Sequence, residues 1–152
     1  PAGTSYNFSG IGFFYSSDRR PKFNFSIEPA AGQYFNGYGL NIEGSLSYRY
    51  QPFGSVVVNF NYSYIDLPAP YSDASVLLVG PRIDLTFSKS LFLTTFIQYN
   101  QQLDNININA RLQWRYAPVS DFFLVYTDNY NSLNISAKSR ALVAKLTYWL
   151  NT

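Results

Sequence analysis

Ile106-Asn107-Ile108-Asn109-Ala110-Arg111-Leu112-Gln113-Trp114-Arg115-Tyr116 alternates without a break. Ile106, Ile108, Ala110, Leu112, Trp114 and Tyr116 fall on one parity, and Asn107, Asn109, Arg111, Gln113 and Arg115 on the other. Successive side chains of a β-strand point to opposite faces, so this run reads as a strand with one apolar and one polar face. Leu40 to Tyr50 repeats the pattern, with Leu40, Ile42, Leu46, Tyr48 and Tyr50 against Asn41, Glu43, Ser45, Ser47 and Arg49. So does Val56 to Tyr64, where Val56, Val58, Phe60, Tyr62 and Tyr64 oppose Asn59, Asn61 and Ser63. Shorter runs follow suit around Phe23, Phe25 and Ile27, and around Ile83, Leu85 and Phe87. The helical period of 3.6 is hard to find.

Outward from these runs the chain divides into about nine strands, near residues 5–16, 22–32, 38–50, 55–65, 74–87, 91–101, 106–116, 121–128 and 136–150. Several reach the roughly 10 or 11 residues that a tilted transmembrane strand needs. Alternation also marks soluble sandwiches and lipocalin-like barrels, so other features decide. The polar parity carries Asn, Ser, Gln and Thr with scattered Arg and Glu, a mixture suited to a water-filled lumen. The apolar parity ends in aromatics: Tyr48, Tyr50, Trp114, Tyr116 and Tyr148 at one end, Tyr62, Tyr64 and Tyr99 at the other. Girdles of this kind flank the apolar band of outer-membrane barrels. Connections at 17–21, 51–54, 88–90 and 117–120 are tight, while those at 66–73 and 129–135 are looser, as periplasmic turns and outer loops alternate. The expected fold is all-β: one antiparallel transmembrane β-barrel region covering residues 1–152, in the bacterial outer membrane with a periplasmic C-terminus.

Composition narrows the chemistry. Charged residues are 13% of the chain and aromatics 19%, a β-forming balance suited to a membrane–water interface. The net charge of +2 makes no case for nucleic acid. There is no Cys, His or Met, which removes disulfides, thiolates and the commonest general base. No Walker A, zinc or EF-hand spacing appears, and the carboxylates Glu28, Glu43, Asp66 and Asp84 form no pair by spacing. Neither a catalytic role nor a cofactor is expected. Asp73, Asp104 and Asp128 are assigned to outer loops, where solvated turns are the ordinary reading and a cation site the sharper one.

Topology adds an expectation about extent. The start, Pro1-Ala2-Gly3-Thr4, shows no signal peptide, and about nine strands is odd where bacterial single-chain barrels have even counts. The reading is therefore a C-terminal portion of a larger barrel, with the first and last strands each pairing with a strand not in this sequence. Pro29 and Pro81 each remove a ladder donor and predict bulges. Gly10-Ile11-Gly12-Phe13-Phe14-Tyr15 breaks the alternation, and Phe92 and Phe96 fall on the polar parity, where ordinary packing on a plug, on a loop or on lumen neighbours is expected.

Leu91-Phe92-Leu93-Thr94-Thr95-Phe96-Ile97-Gln98-Tyr99-Asn100, Asn109-Ala110-Arg111-Leu112-Gln113-Trp114-Arg115-Tyr116-Ala117-Pro118, Ser120-Asp121-Phe122-Phe123-Leu124-Val125-Tyr126 and Ala144-Lys145-Leu146-Thr147-Tyr148-Trp149-Leu150 carry a family resemblance. From about Leu91 onward, and loosely before it, the chain resembles large outer-membrane barrels of unassigned function. Members of that family often carry an N-terminal domain similar to carbohydrate-binding module family 9. The resemblance implies a C-terminal barrel and periplasmic assembly, supplies no catalytic residues, and implies Gly where Val119 stands. Leu142, Ala144, Leu146, Tyr148 and Leu150 look like the terminal strand read by the barrel insertion machinery.

Candidate lumen-lining residues are Asn41, Glu43, Arg49, Asn59, Asn61, Arg82, Asp84, Asn107, Asn109, Arg111, Gln113, Arg115 and Lys145. With Lys22 and Arg140 added, basic groups outnumber Glu28, Glu43 and Asp84, which favours anions in an open lumen unless the charges pair across strands. Three functions remain: a pore or transporter for small polar solutes, a membrane anchor in a surface complex, and a soluble ligand-binding β-barrel carrier. The first two imply outer-membrane lipid, the insertion machinery and other surface-complex subunits as partners.

Overall fold

Aromatic and β-branched residues at every second position favour a pleated sheet over a helix. The computed structural model, which describes residues 8–150, contains strands and no helix among those residues. The strands are β1 (Gly10–Gly12), β2 (Tyr15–Ser16), β3 (Phe23–Tyr34), β4 (Gly37–Tyr50), β5 (Gly54–Asp66), β6 (Ala74–Thr86), β7 (Leu91–Asn100), β8 (Asn105–Ala117), β9 (Ser120–Asn131) and β10 (Ala137–Thr147). They form one antiparallel sheet in the order β1-β3-β4-β5-β6-β7-β8-β9-β10, with β2 also beside β3. Sequence neighbours are sheet neighbours throughout from β3 on, which short connections make the simplest outcome.

The expected first strand is split. Its start at residues 5–7 lies outside the described residues, and the remainder is interrupted at Phe13 and Phe14. The reason is across the ladder. Pro29 turns its carbonyl to the Phe13 amide at 3.1 Å and has no N–H to return, so pairing lapses there. Pro81 has a similar effect, because the recorded β6–β7 pairs stop at Val79 and resume at Arg82. Neither proline makes the expected bulge: Pro29 opposite Ile42 and Val58 opposite Pro81 keep register. The register shifts lie elsewhere, between Arg115 and Ala117 and between Ala137 and Ser139.

Connection lengths follow the expected alternation only in part. Residues 51–53, 87–90 and 118–119 are short and 67–73 is long, but the connection at 35–36 is also tight and that at 17–22 is not. The last expected strand ends early, at Thr147. Beyond it Trp149 N donates to Ser120 Oγ at 3.1 Å, which helps cover Ser120 at 1% exposure. The sheet is open: among the described residues β10 pairs only with β9, and β1 and β2 only with β3.

One row of the ladder shows how the strands are set. Gly54, at the start of β5, is level with Leu85, Leu93, Leu112 and Leu124. β8 then runs on to Ala117, so the hairpins step in one direction across the sheet. Gly44 allows an aromatic ring to lie across the sheet, because a Cβ there would sit 2.3 Å from the Phe60 ring. Phe96 packs over Gly80, where a Cβ would meet it at an ordinary contact distance of 3.5 Å. Phe96 therefore covers a neighbour on its own face, as expected for that residue.

The β8–β9 turn, Ala117-Pro118-Val119-Ser120, has Val119 at φ 57°. Proline followed by a residue with positive φ is a type II turn, whose third position favours glycine. A β-branched residue is strained there. Val119→Gly should raise the unfolding free energy by about 1 kcal/mol, measured by equilibrium denaturation, and no gain would contradict the strained-turn assignment.

Candidate functional site

The ladder carries each strand's parity to the next, because a one-residue slip would turn a strand's side chains over. Leu46 opposite Val58 and Tyr48 opposite Val56 continue through Pro81 and Ile83 to Ile108 and Leu112 on one face. Glu43 opposite Asn61, Ser45 opposite Asn59, Gln98 opposite Asn107 and Thr94 opposite Arg111 fall on the other. Every candidate residue from Asn41 to Lys145 lies on this second, polar face, as the alternation predicts.

Its side chains join across strands. On β4 and β5, Asn61 Nδ2 donates to Glu43 Oε1 at 2.8 Å and Asn41 Nδ2 to the same oxygen at 3.3 Å. Ser63 Oγ donates to Asn41 Oδ1 at 2.8 Å. On β6 and β7, Arg82 grips Asp84 with Nε at 2.9 Å and Nη2 at 3.1 Å, and Thr94 Oγ1 donates to Asp84 at 2.9 Å. On β8 and β9, Asp121 receives Gln113 Nε2 at 3.1 Å and pairs with Arg115 at 3.4 Å, while Asn109 Nδ2 donates to Thr127 Oγ1 at 2.9 Å. Asn59 lines a concavity of about 410 Å³ with Ser26, Glu28, Glu43, Asn61 and Gln98.

This pairing dissolves most of the expected basic excess. Arg82 and Arg115 are matched by Asp84 and Asp121. Arg49 is not mid-wall: its guanidinium ties down the β2–β3 connection through the carbonyls of Arg19, Arg20 and Pro21. Arg140 is on the other face altogether, bonded to Asp128. What stays uncompensated is a polarised face. Glu28 stands directly opposite Glu43 on β3 and β4. Arg111, whose guanidinium lies 5.5 Å from the Phe123 ring, and Lys145 occupy β8 and β10.

Asp128 corrects a second expectation. It is not a loop acid but part of β9, fully covered and paired across the ladder with Ile108 and Arg140. Counting parity from Phe122, Leu124 and Tyr126 reaches Asp128, and counting back from Leu142 reaches Arg140, so the signal was present in the sequence. Asp121, Thr94, Thr127 and Phe123 were missed because a partner on the next strand is set by register, which sequence parity alone does not supply. Comparison of the chain with protein-family models and with curated proteins gave no match.

Asp121→Asn should cost about 1 kcal/mol by loosening Arg115 and Gln113 together, whereas Lys145→Ala, with no polar partner among the described residues, should change stability by less than about 0.5 kcal/mol. Equal losses in denaturant titration would contradict this partition.

Proposed function

We propose that this chain is a stretch of wall of a bacterial outer-membrane β-barrel, with its aliphatic face against lipid and its polar face lining a water-filled pore for small polar solutes. The observation that carries the reading is the absence of a core. Among the described residues no hydrophobic side chain is buried, and Leu46 and Leu146 are 42% and 67% exposed on the aliphatic face. Each large apolar side chain left in water forgoes about 1.5–3 kcal/mol relative to burial, so this face needs an apolar solvent. A soluble carrier has the reverse requirement, an apolar interior, whereas the concavity here sets Glu28, Glu43, Asn59, Asn61 and Gln98 among Phe14, Leu78 and Phe96.

The stagger supports a barrel wall. Tyr50, the last residue of β4, is level with Leu112 on β8, four strand spacings away, and β8 runs on to Ala117. At ~3.3 Å per residue and ~4.8 Å per strand this drift corresponds to a tilt of roughly 40°, inside the barrel range. Tyr50 against Phe53 and Trp114 against Tyr116 group aromatics on the tight-turn side, and Tyr99, Tyr126 and Tyr130 lie toward the other. The tight turns are then periplasmic. The exposed edges of β1 and β10 take strands from the rest of the barrel, since unpaired backbone is unacceptable in lipid. β10 is the strand the insertion machinery reads, and surface-complex subunits are the partners of the outer loops.

Leu112→Arg should cost about 2–4 kcal/mol while Gln113→Arg is nearly neutral, read as loss of heat-resistant folded migration of the intact protein. Equal effects would contradict the face assignment. In planar bilayers the intact protein should give stepwise conductance, and Arg111→Glu should shift selectivity toward cations. Full insertion with no conductance would replace the pore with a membrane anchor.

A further inference from the structure

The aliphatic face carries a charged constellation three residues inside the ends of β9 and β10. Asp128 Oδ2 accepts three hydrogen bonds: from Tyr126 Oη, from Tyr130 Oη at 2.6 Å and from Arg140 Nε at 2.7 Å. Arg140 Nη2 also donates to Tyr130 Oη at 3.1 Å. Asp128 is 0% exposed and its Oδ1 is buried with no partner. Its rigid hold therefore serves the groups around it, and Arg140 is the one left open. The Arg140 side chain is 57% exposed, and its Nη1 has no acceptor among the described residues. Its neighbours on that face are Ile108, one strand beyond Asp128, and Leu142, which offer none.

We propose that Arg140, oriented by Asp128, Tyr126 and Tyr130, is a binding site on the outward wall for the phosphate of an outer-leaflet lipid headgroup. The proposal rests on the reading of the aliphatic face as lipid-facing. Depth makes it workable. Asp128 lies three residues inside the end of β9 at Asn131, roughly 8 Å below the outer rim for a strand tilted about 40°. Arginine on the lipid face costs only about 0–1 kcal/mol at the interface, against about 2–4 at mid-membrane. Headgroup phosphates are within reach there. The free edge of a guanidinium whose other edge is already clamped matches two phosphate oxygens in parallel, with its rotamer entropy already spent. Asp128 cancels the local charge, so a free anion gains little. A phosphate delivered by membrane partitioning of its own acyl chains is the ligand that fits.

The test uses the intact protein in detergent, stripped of lipid, with native mass spectrometry as the readout. Diphosphorylated lipid A should bind wild type about tenfold more tightly than its dephosphorylated form. Arg140→Gln should lose that preference while keeping heat-resistant folded migration, and Arg140→Lys should keep part of it. Millimolar inorganic phosphate should not compete. Equal binding of the two lipids by wild type overturns the proposal without any variant, so a folding defect in Arg140→Gln leaves it decidable. Competition by inorganic phosphate would overturn the lipid source. Failure of the protein to insert into vesicles would instead overturn the membrane reading itself.

Discussion

A register kept from β3 to β10 is the constraint on which everything else depends. Each antiparallel ladder passes the parity of one strand to the next, and the recorded register shifts occur only near strand ends. Two continuous faces result, one aliphatic and one hydrogen-bonded, although four strands separate β3 from β8. A single slip at β6 would have put Asp84 among leucines and isoleucines and broken its bond to Thr94 on β7. Pro81 tests that rule, because it removes a donor in mid-strand and the register still holds on both sides. The chain absorbs a proline by letting pairing lapse rather than by inserting a residue.

The two faces are stabilised differently. The polar face is a set of short networks, each within two neighbouring strands, around Glu43, Asp84 and Asp121. Most of these groups are partly exposed, so each adds little to stability. Their effect is to hold side chains flat against the wall and to separate the unmatched charge into a Glu28–Glu43 side and an Arg111–Lys145 side. The aliphatic face has fewer such bonds, the Asp128 cluster and the Tyr116 hydroxyl on the Thr147 carbonyl among them. It depends on the solvent it meets, so fold and environment cannot be argued separately for this protein.

Period two made the faces legible. Ile106 to Tyr116 needs no structure to assign, and eight of the strand positions follow from the same count. Less legible were features that depend on what lies across the ladder. Phe13 and Phe14 read as a disturbed strand, but the cause is the missing donor of Pro29 on the next strand. Arg115 and Gln113 read as free lumen charges and amides until register puts Asp121 beside them. Asp128 and Arg140 follow from parity, although acids and arginines ordinarily belong to loops or to a polar face. Val119 is a different case: the turn has positive φ there, a backbone property that a valine in the sequence does not announce.

The central claim is that one face of this sheet meets lipid and the other meets water, and β8 offers the most direct measurement. The chain contains no cysteine, so single cysteines can be placed from Ile106 to Arg115 and spin-labelled in the intact protein in lipid vesicles. A two-residue oscillation is expected. Labels at positions 106, 108, 110 and 112 should collide with oxygen dissolved in the bilayer, and those at 107, 109, 111 and 113 with a water-soluble paramagnetic complex. Oscillation in the opposite phase, or uniform access of the water-soluble reagent to both sets, would contradict it.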